Sequence, residues 1–188
     1  HANLPLALHS DGDLGATFNG SRVVPASARG LGDLLLGADV RLYGKAMSPF
    51  TAALGVTVSL PTGNASAFLG DGAVGVAPRL AVAGDVGMFT YSAQLAYGVR
   101  SGQIANVAFG NELRYAASAG LRFFDRKLLV GPELFGVADV SGQPGATRRP
   151  ALEGDLGAHF QFHRDWRGGV GVGTGLLKSP GVPDVRVL

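Results

Sequence analysis

Gly169, Gly171, Gly173 and Gly175 are the first residues whose spacing could do chemistry. A phosphate loop brings backbone N–H groups up to an anion. It needs a strand before its glycines and a Lys-Ser/Thr pair opening a helix after them. Here the glycines alternate with Val170 and Val172, which puts them on one face of a strand as close-packed positions. His159 and His163 have the spacing of two metal ligands on a helix. On a strand they share a face but lie roughly 13 Å apart, at about 3.4 Å per residue, too far to share an ion. They read as one interior and one turn histidine. His9 precedes Asp11-Gly12-Asp13, whose hard oxygens suit Ca²⁺ and whose Asp/His combination suits hydrolysis. Asp and Gly are also ordinary loop residues, and no Ser-His-Asp arrangement can be drawn for Ser10 or any other serine. With no Cys in the chain, thiol enzymes, disulfide scaffolds and Cys-zinc sites are excluded. The expectation is no catalytic residue, no metal and no cofactor.

The charges say more. Asp33, Asp39, Arg41, Arg79, Glu112, Arg114, Arg122, Glu133, Glu153, Asp155, Arg167 and Arg186 all fall on the polar parity of their segments. Both signs are present in near balance, and the basic residues are 13 Arg against 3 Lys. Arginine forks make planar, directional pairs with carboxylates, so this composition predicts fixed ion pairs in a narrow interior. Arg41, Arg79, Arg114 and Arg122 are expected to reach toward Glu112, Glu133, Glu153 and Asp155. A net charge of +2 gives no nucleic-acid footprint.

The elements that hold these charges have period two. Alternate side chains of a strand point to opposite faces. In 33–43 an apolar row of Leu34, Leu36, Ala38, Val40 and Leu42 opposes Asp33, Gly37, Asp39, Arg41 and Tyr43. The same alternation recurs over 50–60, 74–83, 89–99, 112–123 and 152–162, with weaker copies at 3–9, 128–138, 167–176 and 184–188. That makes about ten strands, most near the 9–11 residues that cross a bilayer when tilted. Short turns near 44–48, 84–87, 125–126 and 164–165 alternate with long loops at 10–30, 61–72, 100–109, 139–149 and 177–183. Tyr43, Phe50, Phe89, Tyr91, Phe123, Phe124, Phe162 and Trp166 gather near the short turns, as in an interfacial girdle.

Composition agrees with this pattern. Hydrophobic residues are 46% and charged residues 16% of the 188, and glycine contributes 30. Mean hydropathy is +0.23. No apolar run is long enough for a transmembrane helix. The reading is an all-β, up-and-down antiparallel transmembrane β-barrel, residues 1–188 forming one domain. Leu36, Val40, Leu54, Val58, Tyr97, Tyr115 and Phe160 should then face lipid, and the charged row the lumen. A soluble barrel with its apolar face inward is the alternative. It fits less well, because the polar face is Gly, Ala, Ser and Thr with scattered charges, unlike a Lys- and Glu-rich solvated surface.

Val58-Ser59-Leu60-Pro61-Thr62-Gly63, Gly70-Asp71-Gly72 and Val76-Ala77-Pro78-Arg79 resemble the outer-membrane barrel of OmpA-like and transporter-like proteobacterial proteins. Gly131-Pro132-Glu133-Leu134 and the stretch Gly181 to Leu188 are similar to later strands of such barrels. The resemblance implies a Gram-negative outer membrane, with lipid and lipopolysaccharide around the barrel and the long loops outside. It also implies contact with peptidoglycan or other envelope proteins through a segment outside this chain. The opening His1-Ala2-Asn3 has no leader character, nothing matches a peptidoglycan domain, and the last strand stops at a non-aromatic Leu188. Sequence missing at one or both ends, and a full barrel of about 10–12 strands, are expected. Three functions follow: a non-enzymatic envelope component or narrow passive channel, a periplasmic barrel binding an apolar ligand, and a barrel-embedded hydrolase.

Overall fold

The computed structural model describes residues 1–8, 17–18, 21–22, 29–65, 69–100, 102–104, 107–141, 150–177 and 182–187. Its elements are all strands. The long ones are β6 (Leu34–Tyr43), β7 (Thr51–Leu60), β8 (Gly75–Val86), β9 (Phe89–Arg100), β12 (Glu112–Phe123), β13 (Leu128–Asp139), β14 (Ala151–His163) and β15 (Trp166–Leu177). Short pieces flank them: β1 (Ala2–Asn3), β2 (Leu6–Ala7), β3 (Thr17–Phe18), β4 (Ser21–Arg22), β5 (Gly30–Leu31), β10 (Gly102–Ile104), β11 (Val107–Phe109) and β16 (Arg186–Val187). One ten-stranded up-and-down sheet runs β1-β6-β7-β8-β9-β12-β13-β14-β15-β16, antiparallel in every pairing whose register is known. No helix of the described residues is long and apolar enough to cross a membrane.

The alternation predicted from the sequence marks the long strands closely. Among the segments that differ are 3–9 and 100–109. The weak pattern at 3–9 is two strands. Pro5 has no N–H to give a ladder, and the chain changes partner there: β1 pairs with β6, while β2 pairs with β5 in a separate ribbon. The 100–109 loop contains a hairpin, β10 with β11, in which Gln103 faces Ala108. The stretch around His9, Ser10, Asp11, Gly12 and Asp13 lies outside the described residues.

The chain divides into two compact units. The first comprises His1–Ala38, Val56–Pro78 and Gly98–Asn111. It is organised by Asp33, whose carboxylate accepts hydrogen bonds from the backbone N–H of Gly63 (2.9 Å) and of Asp71 (2.7 Å). A Cβ at Gly63 would lie 2.9 Å from Asp33 Oδ1, and one at Gly70 would collide with it. Thr62 adds a second clasp, donating to Gly32 O at 3.0 Å and accepting from Leu34 N at 2.9 Å. The Thr62-Gly63 and Gly70-Asp71 motifs are therefore a loop clamp, with glycine where the carboxylate needs room.

The second unit comprises Asp39–Gly55, Arg79–Tyr97 and Glu112–Leu188. Along β12 and β13 the register runs from Glu112↔Asp139 to Phe123↔Leu128, lapsing only beside Gly131 and Pro132. Proline supplies no N–H there, and a Cβ at Gly131 would strike the Ala119 carbonyl oxygen. The turn after β12 holds three consecutive non-glycine residues at positive φ: Phe124 (51°), Asp125 (52°) and Arg126 (69°). Such conformations cost energy and persist where neighbours impose them.

Burial is inverted relative to a water-soluble domain. Among the described residues the buried side chains include four carboxylates, Asp155 at 8% exposure and Asp33, Glu112 and Glu153 at 9%, but only one hydrophobe, Ala77. Meanwhile Val40 is 65% exposed, Leu54 51%, Leu156 57% and Val170 69%.

Candidate functional site

Charge pairs tie the second unit together, and three of them join strands two apart in the sheet. Arg79 on β8 pairs with Asp39 on β6. Arg122 on β12 and Arg126 in the following turn both hold Asp85 on β8, at 3.2 and 2.8 Å. Arg186 on β16 reaches Glu153 on β14 at 2.8 Å and lies over the Phe135 ring, 5.6 Å from its centroid. Two further pairs are local: Arg114 with Glu112 on one strand (2.5 Å), and His159 Nε2 with Glu133 on the next strand (3.2 Å).

The predicted charged row thus divides into distinct roles. Asp39, Arg79, Glu112, Arg114, Arg122, Glu153 and Arg186 sit in Arg–carboxylate pairs, and Glu133 has His159 Nε2 as its partner; of Arg41, Arg79, Arg114 and Arg122, only Arg114 holds one of the four carboxylates expected for that set. Asp33 binds backbone N–H groups. Asp155 is buried opposite Glu133 and Gly173, and its Oδ1 has no hydrogen-bond partner. Arg167, opposite Gln161, and Arg41 are exposed and have no carboxylate partner among the described residues. Asp85 and Arg126 were not anticipated. Asp85 continues the Arg79, Ala81, Ala83 parity, but sequence reading ended that strand at 83, three residues early. Arg126 lies in a left-handed turn, where period two carries no signal.

The glycine row of β15 makes room for β14. Gly169 faces His159, Gly171 faces Gly157 and Gly173 faces Asp155. A Cβ at Gly169 would sit 2.6 Å from His159 Nδ1, and one at Gly173 would overlap Asp155 Oδ1. These glycines serve strand packing, and no helix follows them among the described residues. Gly173→Val is expected to destabilise the folded protein by at least about 2–3 kcal/mol, because a buried carboxylate and the backbone must both shift. Gly168→Val, whose Cβ would meet a Phe162 ring carbon at 3.2 Å, should cost less. Denaturant titration of the two variants checks the order.

On the apolar parity, Leu36, Val40, Leu54, Tyr97 and Phe160 are exposed, while Val58 and Tyr115 are half-buried. Tyr115 lies across Gly136 on the adjacent strand and donates from its hydroxyl to Ala151 O at 3.1 Å. The aromatics near the short turns include exposed Tyr43, Phe50, Phe89, Phe124, Phe162 and Trp166. Tyr91 instead leans over Gly84 and donates to Pro49 O at 2.9 Å.

A cavity of about 360 Å³ opens among the pairs of the second unit. Its wall takes Arg41 from β6, Thr51 and Ala53 from β7, Ala81 and Ala83 from β8, Ser92 and Gln94 from β9, Ala116 and Ser118 from β12, and Glu133 from β13. These are six consecutive strands of the sheet. Laid flat, they would span roughly 24 Å at about 4.8 Å per strand. Side chains from all six reach one small cavity only if the sheet curls around it. Two of the lining hydroxyls, Ser92 and Ser118, meet at 2.9 Å, and Thr51 donates to Ala83 O. Cation, anion, amide and hydroxyl groups on an alanine floor can hold a small polar molecule. His159 and His163 engage different carboxylates, Glu133 and Asp165.

An antiparallel up-and-down sheet that buries carboxylates and exposes apolar side chains defines a class of β-proteins with inverted burial. Within it, the chain belongs to the family described as "Putative MetA-pathway of phenol degradation", whose model matches residues 1–179. No curated protein matches the chain.

Proposed function

We propose that this protein is an integral β-barrel of a Gram-negative outer membrane, OmpA-like in general architecture, acting as a narrow passive conduit without enzymatic activity. The inverted burial carries the reading: four buried carboxylates against exposed Val40, Leu54, Leu156 and Val170. In water that arrangement would leave the hydrophobic effect unused and desolvate charge. In a bilayer the apolar rows meet hydrocarbon, the exposed aromatics sit at the interface, and the ion pairs line a small lumen. This also weighs against a soluble barrel with an apolar core. The family's link to phenol degradation supports a role in passing small molecules, since a compound to be degraded must first cross the envelope.

Planar-bilayer recording tests the conduit. The ion pairs bridging alternate strands obstruct the bore, so the expected conductance is small and sugars should not enter in liposome swelling. Large, steady porin-like conductance would contradict a narrow lumen. Folding in aqueous buffer without detergent or lipid would contradict the membrane assignment itself.

A further inference from the structure

We propose that the cavity of the second unit is a binding site for a small organic carboxylate, anchored on Arg41. This rests on the reading of that cavity as the lumen of a conduit, and it adds a ligand class.

Three observations carry it. The first is charge balance. The neighbouring arginines are spent on carboxylates: Arg79 on Asp39, Arg114 on Glu112, and Arg122 on Asp85. Arg41 lines the cavity and has no carboxylate partner among the described residues. A guanidinium offers a planar fork of donors that matches a carboxylate in two parallel bonds. The second is placement. The cavity's one acid among the described residues, Glu133, stands on β13, five strands along the sheet from Arg41 on β6, and has His159 Nε2 at 3.2 Å as its own partner. Arg41 is thus the lining group left to meet an anion. The third is size and lining. At about 360 Å³ the cavity lies near the lower end of the roughly 300–1,000 Å³ typical of ligand pockets. Alanines give it an apolar floor, while Gln94 and Ser92 offer polar groups to the rest of the ligand.

Isothermal titration of the detergent-folded protein with 4-hydroxybenzoate, corrected against empty micelles, tests this. Phenol (no carboxylate) and benzylamine (opposite charge) are the comparison ligands. Saturable binding of 4-hydroxybenzoate is expected, with phenol and benzylamine at least about tenfold weaker. Arg41→Ala should weaken 4-hydroxybenzoate by about tenfold or more, and Arg41→Lys, which keeps the charge but not the fork, by less. Arg41 pairs with no carboxylate among the described residues, so both variants should keep the wild-type far-ultraviolet circular dichroism. Absence of saturable binding to wild type, equal binding by Arg41→Ala, or equal binding of benzylamine would each overturn the carboxylate site. The membrane reading fails separately. If the protein folds in buffer without detergent, that reading falls, while the same titration run in buffer still decides the role of Arg41.

Discussion

Replacing Asp85 by Ala is expected to destabilise the folded protein by about 2–4 kcal/mol. Its carboxylate is 13% exposed and receives two guanidinia, Arg122 at 3.2 Å and Arg126 at 2.8 Å. Removing one partner of a buried pair leaves charge without compensation, which typically costs about 3–5 kcal/mol. The arginines are 26% and 35% exposed, so water recovers part of that loss. The substitution acts on the backbone as well. Arg126 sits at φ 69° in a turn with two more left-handed non-glycine residues, and its pair with Asp85 is one contact holding it there. Asp85→Asn, which keeps the shape and loses the charge, should cost nearly as much. Arg126→Ala should cost less, because Arg122 still neutralises Asp85. Thermal melts of detergent-folded protein rank the three. A loss below about 0.5 kcal/mol for Asp85→Ala would place this pair among ordinary solvated surface contacts.

Val40→Arg should produce a comparable loss by a different route. Val40 lies in β6 and is 65% exposed. On a water-facing strand such a substitution changes stability by about 0.5 kcal/mol or less. At the bilayer midplane an arginine on the lipid face costs about 2–4 kcal/mol. Refolding titrations into phosphatidylcholine vesicles should therefore show the loss, and Val40→Leu should show little. A neutral Val40→Arg in vesicles would remove Val40 from the lipid face.

The sequence makes the long strands legible because period two is a local property. Each of β6, β7, β9, β12, β13, β14 and β15 lies within about two residues of its alternating segment. Partners across the sheet are not local. Arg79 finds Asp39 and Arg186 finds Glu153 by reaching past an intervening strand, which depends on stagger and curl that no single segment encodes. Asp33 shares the charged parity of β6, yet it stands one residue before the strand, where loop N–H groups are closer than any arginine fork. Tyr115 has the right parity for the outer face, but Gly136 on the neighbouring strand gives its ring a place to lie. The cavity was invisible in the same way. Its small residues are scattered over six strands and become one surface only after the sheet curls.

The direction of the apolar face is the central claim, and site-directed spin labelling measures it most directly. Single cysteines placed at Leu36, Val40, Leu54, Tyr97 and Phe160, then labelled and reconstituted in lipid, report collisions with oxygen and with a water-soluble nickel chelate. Labels at Ala53 and Ser118, which line the cavity, supply the comparison. The account predicts high oxygen and low nickel accessibility at the five apolar-face sites, and a lower ratio of oxygen to nickel at the two cavity sites. Apolar-face labels shielded from both quenchers would mean that protein covers that face, and would contradict an inside-out barrel in a membrane.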